Sequence, residues 1–445
     1  MPRSVKVYWI FLFLIFIIYV IFGYFYFKNT YANGDEVHFL VATHSIVYDH
    51  DVWLENNYDQ KVNLTFNPGA VDKIVAKGLD GHLYPVHGIG YSLLLAPFYA
   101  LGNRLGTIIF SALLLSAIFI LTCMFSNKIT KNVKFSLILS LMMFLSHPLF
   151  NFSALNFTDA VGALVFILAI YNLLYTKKHY LLVTLILSFL PWIHIRYFLV
   201  ALILYLYSVF KTSKRQKKLM LVFPLSIVCY FLFLKSTFGS YNPYTPYMIF
   251  GDTAFYGHFF WNLLSLFIDR QFGLLVYSPL FLYIVPGTYF WYIKNKKSFF
   301  TVLFIAVAYL IPIVIIDVRQ GYAPPARLFI TLLPLFIPSL VFFFMEMKNV
   351  VYKIIATGFF LWSVLNMTIA LLLPPNHGFV YGDGVAPSLL YLSMHIGINI
   401  QELFPSFYHD MEITSIHYIL IILIFIFWGF IFFDYSRNQR ISENK

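Results

Sequence analysis

Charge is what this chain of 445 residues most lacks: 11% of it is Asp, Glu, Lys or Arg, and only 19 residues are acidic. Soluble domains carry about one quarter charged residues, so an ordinary water-facing surface is excluded. Cysteine is scarcer still. Cys123 and Cys229 both lie in apolar runs, which excludes a disulfide framework and a paired-cysteine zinc site. Walker, Rossmann and HExxH patterns do not occur, nor do internal repeats or low-complexity linkers. What the chain has instead is hydrocarbon, with 60% hydrophobic residues, 20% aromatic residues and a mean hydropathy of +0.78. This composition predicts an all-α polytopic membrane protein.

The apolar runs predict about twelve transmembrane helices, at 8–27, 107–125, 134–150, 158–175, 180–193, 197–210, 219–236, 272–293, 299–316, 328–345, 354–373 and 416–434. Most approach the roughly twenty residues that hydrocarbon requires. The run at 180–193 is short and ends in PWIHIR. The first run is too long for a signal-peptide core and lacks a small-x-small cleavage site, so it reads as an anchor. Placing the N-terminus inside sorts the connecting charges. One side then holds 20 Lys/Arg against 3 Asp/Glu and the other 10 against 16, or +17 and −6 within the net +11. Positive charge marks the cytoplasmic face, so both termini are expected there, in a plasma (inner) membrane. The basic balance is topology, with no nucleic-acid footprint.

Carboxylates gather where the rest of the chain is apolar. The stretch NGDEVHFLVATHSIVYDHDVW holds Asp35, Glu36, Asp49 and Asp51. It falls in a long outer loop, 28–106, between the first two spans. Val37, Leu40, Val41, His44 and Val47 recur at helical spacing. Asn33 or Gly34 suits the cap, and Asp35 and Glu36 suit the first turn. An amphipathic helix on the membrane surface is expected, with a second interfacial helix in GIGYSLLLAPFYALGNRLG. Further outer loops are expected at 237–270 and 374–414.

The remaining charges cluster at the outer ends of spans: Asp159, Arg196, Asp269, Arg270, Asp317, Arg319 and Arg327. Mid-bilayer charge costs about 2.5–3.5 kcal/mol on insertion scales, and boundary charge costs less. Arginines grip phosphate through forked hydrogen bonds, and a carboxylate takes a proton from an attacking hydroxyl. Such a set suits a lipid-phosphate-linked sugar attacked at its anomeric carbon, through an oxocarbenium-like transition state.

Five blocks carry a family resemblance: GDE after the first span, GHLYPVHGIGYSLLLAPFYALG, PWIHIRYF, DRQFGLLVYSPLFL and GYAPPARLFITLLP. In their order the chain resembles the GT-C superfamily of integral-membrane glycosyltransferases. It is most similar to the branch of protein mannosyltransferases and lipid A aminoarabinose transferase. The blocks reach from about residue 33 to 340. The resemblance implies a catalytic module over 1–345, including the loop 28–106, followed by C-terminal helices over 346–445. It implies Asp35 as the catalytic base or a substrate-orienting acid and Glu36 in support, since helical neighbours point about 100° apart. It implies Arg196 and Arg327 as phosphate clamps, with Arg270 and Arg319 behind them. Asp159 and His87 fall in the acceptor or metal vicinity. The cofactor is unknown; a divalent cation is used by some members and not by others. Implied partners are a polyprenyl-phosphate-linked sugar donor, a glycan, lipid or protein acceptor, and the bilayer.

Blander readings compete at each position. Asp35, Glu36 and Asp159 suit helix N-termini, Arg196 suits lipid headgroups, and Arg270 and Arg319 suit ion pairs with the nearby Asp. The tyrosines of FGSYNPYTPYMIFGDTAFYGHFFW suit sugar stacking or an interfacial belt. Two other functions fit the composition. A transporter or flippase of a lipid-linked sugar places its polar groups at the midplane, often with repeated halves. A non-catalytic envelope-assembly subunit binds lipid phosphate without turnover.

Overall fold

The computed structural model describes residues 3–69, 72–213, 217–250, 259–315, 323–373, 384–407 and 414–443. Helices dominate, because long apolar runs with few glycines satisfy their backbone groups internally. A lipid environment enforces that solution. The helices are α1 (Arg3–Asn29), α2 (Asp35–His44), α3 (Glu55–Asp59), α4 (Val62–Phe66), α5 (Ile89–Thr130), α6 (Val133–Phe144), α7 (Thr158–Tyr171), α8 (Tyr180–Ile193) and α9 (Phe198–Lys211). They continue as α10 (Val222–Phe238), α11 (Phe259–Ile268), α12 (Ile284–Lys294), α13 (Lys296–Val314), α14 (Leu333–Glu346), α15 (Val350–Leu372), α16 (Pro387–Ile396) and α17 (Ser415–Glu443). A single antiparallel hairpin pairs β1 (Val75–Lys77) with β2 (Leu83–Pro85), Ala76 opposite Tyr84.

Among the described residues, seven helices are long and apolar enough to cross a membrane. On several of them large apolar side chains face outward. Examples are Phe13 and Ile21 on α1, Phe304 on α13, Ile354 on α15 and Phe425 on α17. Apolar surface of that extent on long helices is a lipid-facing surface. The chain is therefore a helical membrane protein. Other expected spans coincide with shorter helices. α8 occupies the same residues as the expected run 180–193, and α6 stops at Phe144, before the turn that carries His147 and Pro148. The run 272–293 is broken into a turn at Leu274–Tyr277, a 3-10 turn at Pro279–Tyr283 and α12. Proline at the start of that 3-10 turn and the non-helical Ser278 cause the break. α11 lies where an outer loop was expected; ten apolar residues fall below the length that a hydropathy reading assigns to a span.

The chain divides into two compact units. Unit 1 comprises residues 1–118, 152–258 and 304–318; unit 2 comprises 119–151, 259–303 and 319–445. In unit 1, α2 is not the surface helix that its periodicity suggested. Glu36 through Thr43 are all buried. Val37, Leu40 and Val41 pack with Leu54, Tyr58, Val62 and Phe66 of the segment that folds over them. The opposite side is covered by α5, where Ser92 Oγ donates to Phe39 O at 3.1 Å. The expected interfacial helix is the first arm of α5. It ends at non-helical Gly102 and Asn103, beyond which the second arm runs on to Thr130.

Candidate functional site

Asp35 opens α2. Gly34 precedes it with φ 53°, a left-handed value that glycine adopts without strain. Asn33 holds the turn, its side-chain oxygen accepting from Gly34 N at 3.0 Å and its carbonyl from Glu36 N at 3.2 Å. The Asp35 carboxylate keeps about one fifth of its side chain exposed and lies 3.5 Å from His87 Nε2.

His87 is delivered by the HGIG sequence. A Cβ on Gly88 would sit 2.2 Å from Trp192 O, and one on Gly90 would sit 2.7 Å from Trp192 C. Only glycine lets the start of α5 press against the end of α8 this closely. The contact brings the His87 ring within 6.4 Å of His194 and 5.9 Å of Tyr247. His87 and Tyr247 line a cleft, partly open to solvent, whose walls also include Tyr84, Trp192, Tyr230 and Phe238. Prolines 85, 191, 243 and 246 stiffen its rim. Tyr247 feels the charges of both Asp35 and Arg196.

Asp159 lies in the first turn of α7 and is fully buried. It is not the helix cap; Phe157 holds that position. Arg196, in the 3-10 turn after α8, spends one nitrogen on three acceptors. Nη2 donates to Thr158 Oγ1 at 2.8 Å, Asp159 Oδ1 at 2.9 Å and Tyr197 Oη at 3.0 Å. Its guanidinium also lies over the Tyr197 ring. Arg196 Nε, though buried, finds no acceptor in the protein. Nη2 is thus fixed to the fold, while the buried Nε has no acceptor, and Arg196 is first of all an ion-paired residue.

The other sequence-derived residues are distributed differently. Glu36 is buried completely and does not line the cleft. Its Oε1 accepts from Asn156 Nδ2 at 2.8 Å. Burial pushes its carboxyl up, against the opposing pull of Arg104 and Asn156. Arg270 belongs to unit 2, where its Nε donates to Gly384 O and its backbone N–H donates to Pro405 O at 2.9 Å. Arg327 is half-buried in unit 2 and begins the turn Arg327–Phe329. There Ala326 N donates to Phe272 O at 3.1 Å, joining two of the sequence blocks. Asp317 and Arg319 lie outside the described residues.

Among His38, His44, His82 and His87 of unit 1, three pair with a neighbour through a ring nitrogen, whereas both ring nitrogens of His87 are buried without a hydrogen-bond partner. His38 Nδ1 lies 3.1 Å from Tyr58 Oη, and His44 Nδ1 lies 3.0 Å from Tyr99 Oη. Burial and the nearby His87 lower the His38 imidazole to about 4. His82 pairs with Glu55 and stacks on Trp53 at 4.0 Å between ring centroids. His87 alone of the four meets Asp35. Among the described residues no three His, Cys, Asp or Glu side chains gather as metal ligands.

Sequence reading missed His194, Trp192 and Thr158 as site residues. The block PWIHIRYF contains the first two, but only the packing of HGIG against it makes them neighbours of His87. No protein-family model, curated protein or solved structure matches the chain.

Proposed function

We propose that this protein is a membrane glycosyltransferase of the GT-C type. It would move a sugar from a polyprenyl-phosphate donor to an acceptor hydroxyl on the extracytoplasmic face of the plasma (inner) membrane. About twelve spans, with both termini cytoplasmic, complete the reading. The observation that carries it is a partly exposed carboxylate at Asp35, 3.5 Å from the cleft-lining His87, in the same unit as an arginine, Arg196, whose Nε has no acceptor in the protein, with the cleft-lining Tyr247 feeling the charges of both.

Each group has a role in this reaction. Asp35 accepts the proton of the acceptor hydroxyl as its oxygen attacks the anomeric carbon. The bond from that carbon to the donor's phosphate oxygen breaks, and the lipid phosphate leaves with the electron pair. Arg196 Nε meets the growing negative charge on the phosphate, where stabilisation counts most. Asp159 holds the guanidinium in place. Trp192, Tyr230 and Tyr247 offer ring faces to the sugar or the start of its lipid.

Asp35→Asn tests the reading. Transfer from a labelled polyprenyl-phosphate sugar falls about 10³-fold, while donor binding survives. Unchanged turnover removes Asp35 from the role. Movement of intact donor across liposomes, with no transfer, replaces the reading by a flippase.

A further inference from the structure

Directly behind Asp35, opposite charges are buried close together without touching. Glu36 is fully buried, and its Oε2 has no hydrogen-bond partner in the protein. Arg104, just beyond the α5 kink, is 7% exposed. Its Nη1 donates to Thr30 O at 2.6 Å, but its Nε and Nη2 are both buried without acceptors. The two side chains feel each other's charge, and no ion pair joins them. Tyr26 completes the group. Its ring lies 5.5 Å from the Arg104 guanidinium, its hydroxyl has no partner, and it feels both charges. Asn33 Nδ2, one turn before Glu36, is also unpartnered.

Each side chain is held back from the others. Arg104 is tied to Thr30 and to the Tyr26 ring, and Glu36 is tied to Asn156. Buried polar atoms are nearly always satisfied, by protein or by ordered water. Water both donates to a carboxylate and accepts from a guanidinium and an amide.

We propose that ordered water bridges Glu36, Arg104 and Tyr26, and that Glu36 acts through it and through Asn156 as a positioning residue. Asn156 lies two residues before Thr158, which shares Arg196 with Asp159. The bridge therefore registers the start of α2, which bears Asp35, against the start of α7, which bears Asp159. Its bearing on catalysis rests on the proposed transfer reaction; its hydration does not.

Radiolytic oxidation of the purified full chain in nanodiscs, read by mass spectrometry in 18O-labelled water, supplies internal standards. Tyr19 is 0% exposed and Tyr31 is 44% exposed; Tyr26, at 6%, lies between them by area but near Tyr19. Bound water makes Tyr26 oxidise at least fivefold faster than Tyr19, and Arg104→Met brings it back to the Tyr19 rate. Equal rates for Tyr26 and Tyr19 in the unaltered protein overturn the proposal. For positioning, Glu36→Gln keeps kcat within about threefold, whereas Glu36→Leu lowers kcat at least twentyfold with KM unchanged. A Glu36→Leu protein that melts normally and turns over normally overturns the positioning role. Absence of any transfer by the unaltered protein, with Tyr26 still fast, instead removes the functional reading and leaves the hydration intact.

Discussion

Two aspartate–arginine sets in this molecule solve burial in opposite ways. In unit 1, Asp159 and Arg196 come from different helices and meet side chain to side chain at 2.9 Å. In unit 2, Asp269 and Arg270 are consecutive, and the backbone takes both up. Asp269 Oδ1 accepts from Gln271 N at 2.7 Å and Phe272 N at 2.9 Å, and its Oδ2 accepts from Phe407 N at 2.8 Å. Arg270 Nε donates to Gly384 O. The first set leaves the buried guanidinium Nε without an acceptor in the protein. The second pins the turn 269–273 to the segments around 384 and 407. Adjacency in sequence therefore says little about function: neighbours diverge, while partners 37 residues apart converge.

The largest test of this contrast is Arg196→Met. It strands a buried carboxylate, and loss of one partner of a buried pair costs about 3–5 kcal/mol. Thermal melting in detergent reads it. The double variant Asp159→Leu/Arg196→Met regains most of the loss, because no charge is left uncompensated. If the losses instead add, the pair is not coupled. Next comes Asp269→Ala, which frees three backbone N–H groups and destabilises by about 3 kcal/mol. Hydrogen exchange at Gln271, Phe272 and Phe407 should accelerate together; exchange rising at one site alone breaks the account.

Acid probes unit 1 separately. The His38 imidazole is lowered to about 4, first by burial, while the unfolded chain titrates near the ordinary 6.5. The unfolded state thus binds the extra proton first as pH falls. His38 stabilises the fold fully above about 6.5, and that contribution drains away toward pH 4. Between pH 7 and 5 the loss is about 2 kcal/mol. Glu36 works the other way, since its raised carboxyl gains a proton in the folded state first. The clean measurement is the difference between the unaltered protein and His38→Asn, whose melting temperature should fall less on acidification. Equal slopes would show that His38 is not the titrating group. The smallest effect is expected for Arg270→Gln, about 1 kcal/mol, with transfer little changed. A collapse of donor binding in that variant would move Arg270 from structural support to the phosphate site.

Much of the architecture was legible because hydrocarbon writes it in long runs. α1, α8 and α15 follow their apolar stretches closely. Errors came where local pattern and packing diverged. The segment 36–47 carries a helical apolar stripe, yet its polar residues are buried too, because α3, α4 and α5 enclose it. The run 272–293 reads as one span, but Pro279 divides it. Of the candidate site, Asp35 was visible as a helix-opening acid in an acid-poor chain, and its neighbour His87 was visible as a histidine beside a turn. The bond between Glu36 and Asn156 spans 120 residues, and nothing in either local stretch announces it.

Sequence alone determined the class of the molecule, its longest apolar helices and which few residues are charged, because the cost of exposing apolar surface to water and of burying charge is paid residue by residue. Tertiary structure decided which charges face one another, because a guanidinium has only a few donors. Which acceptors they reach depends on how closely glycines such as Gly88 and Gly90 let helices approach.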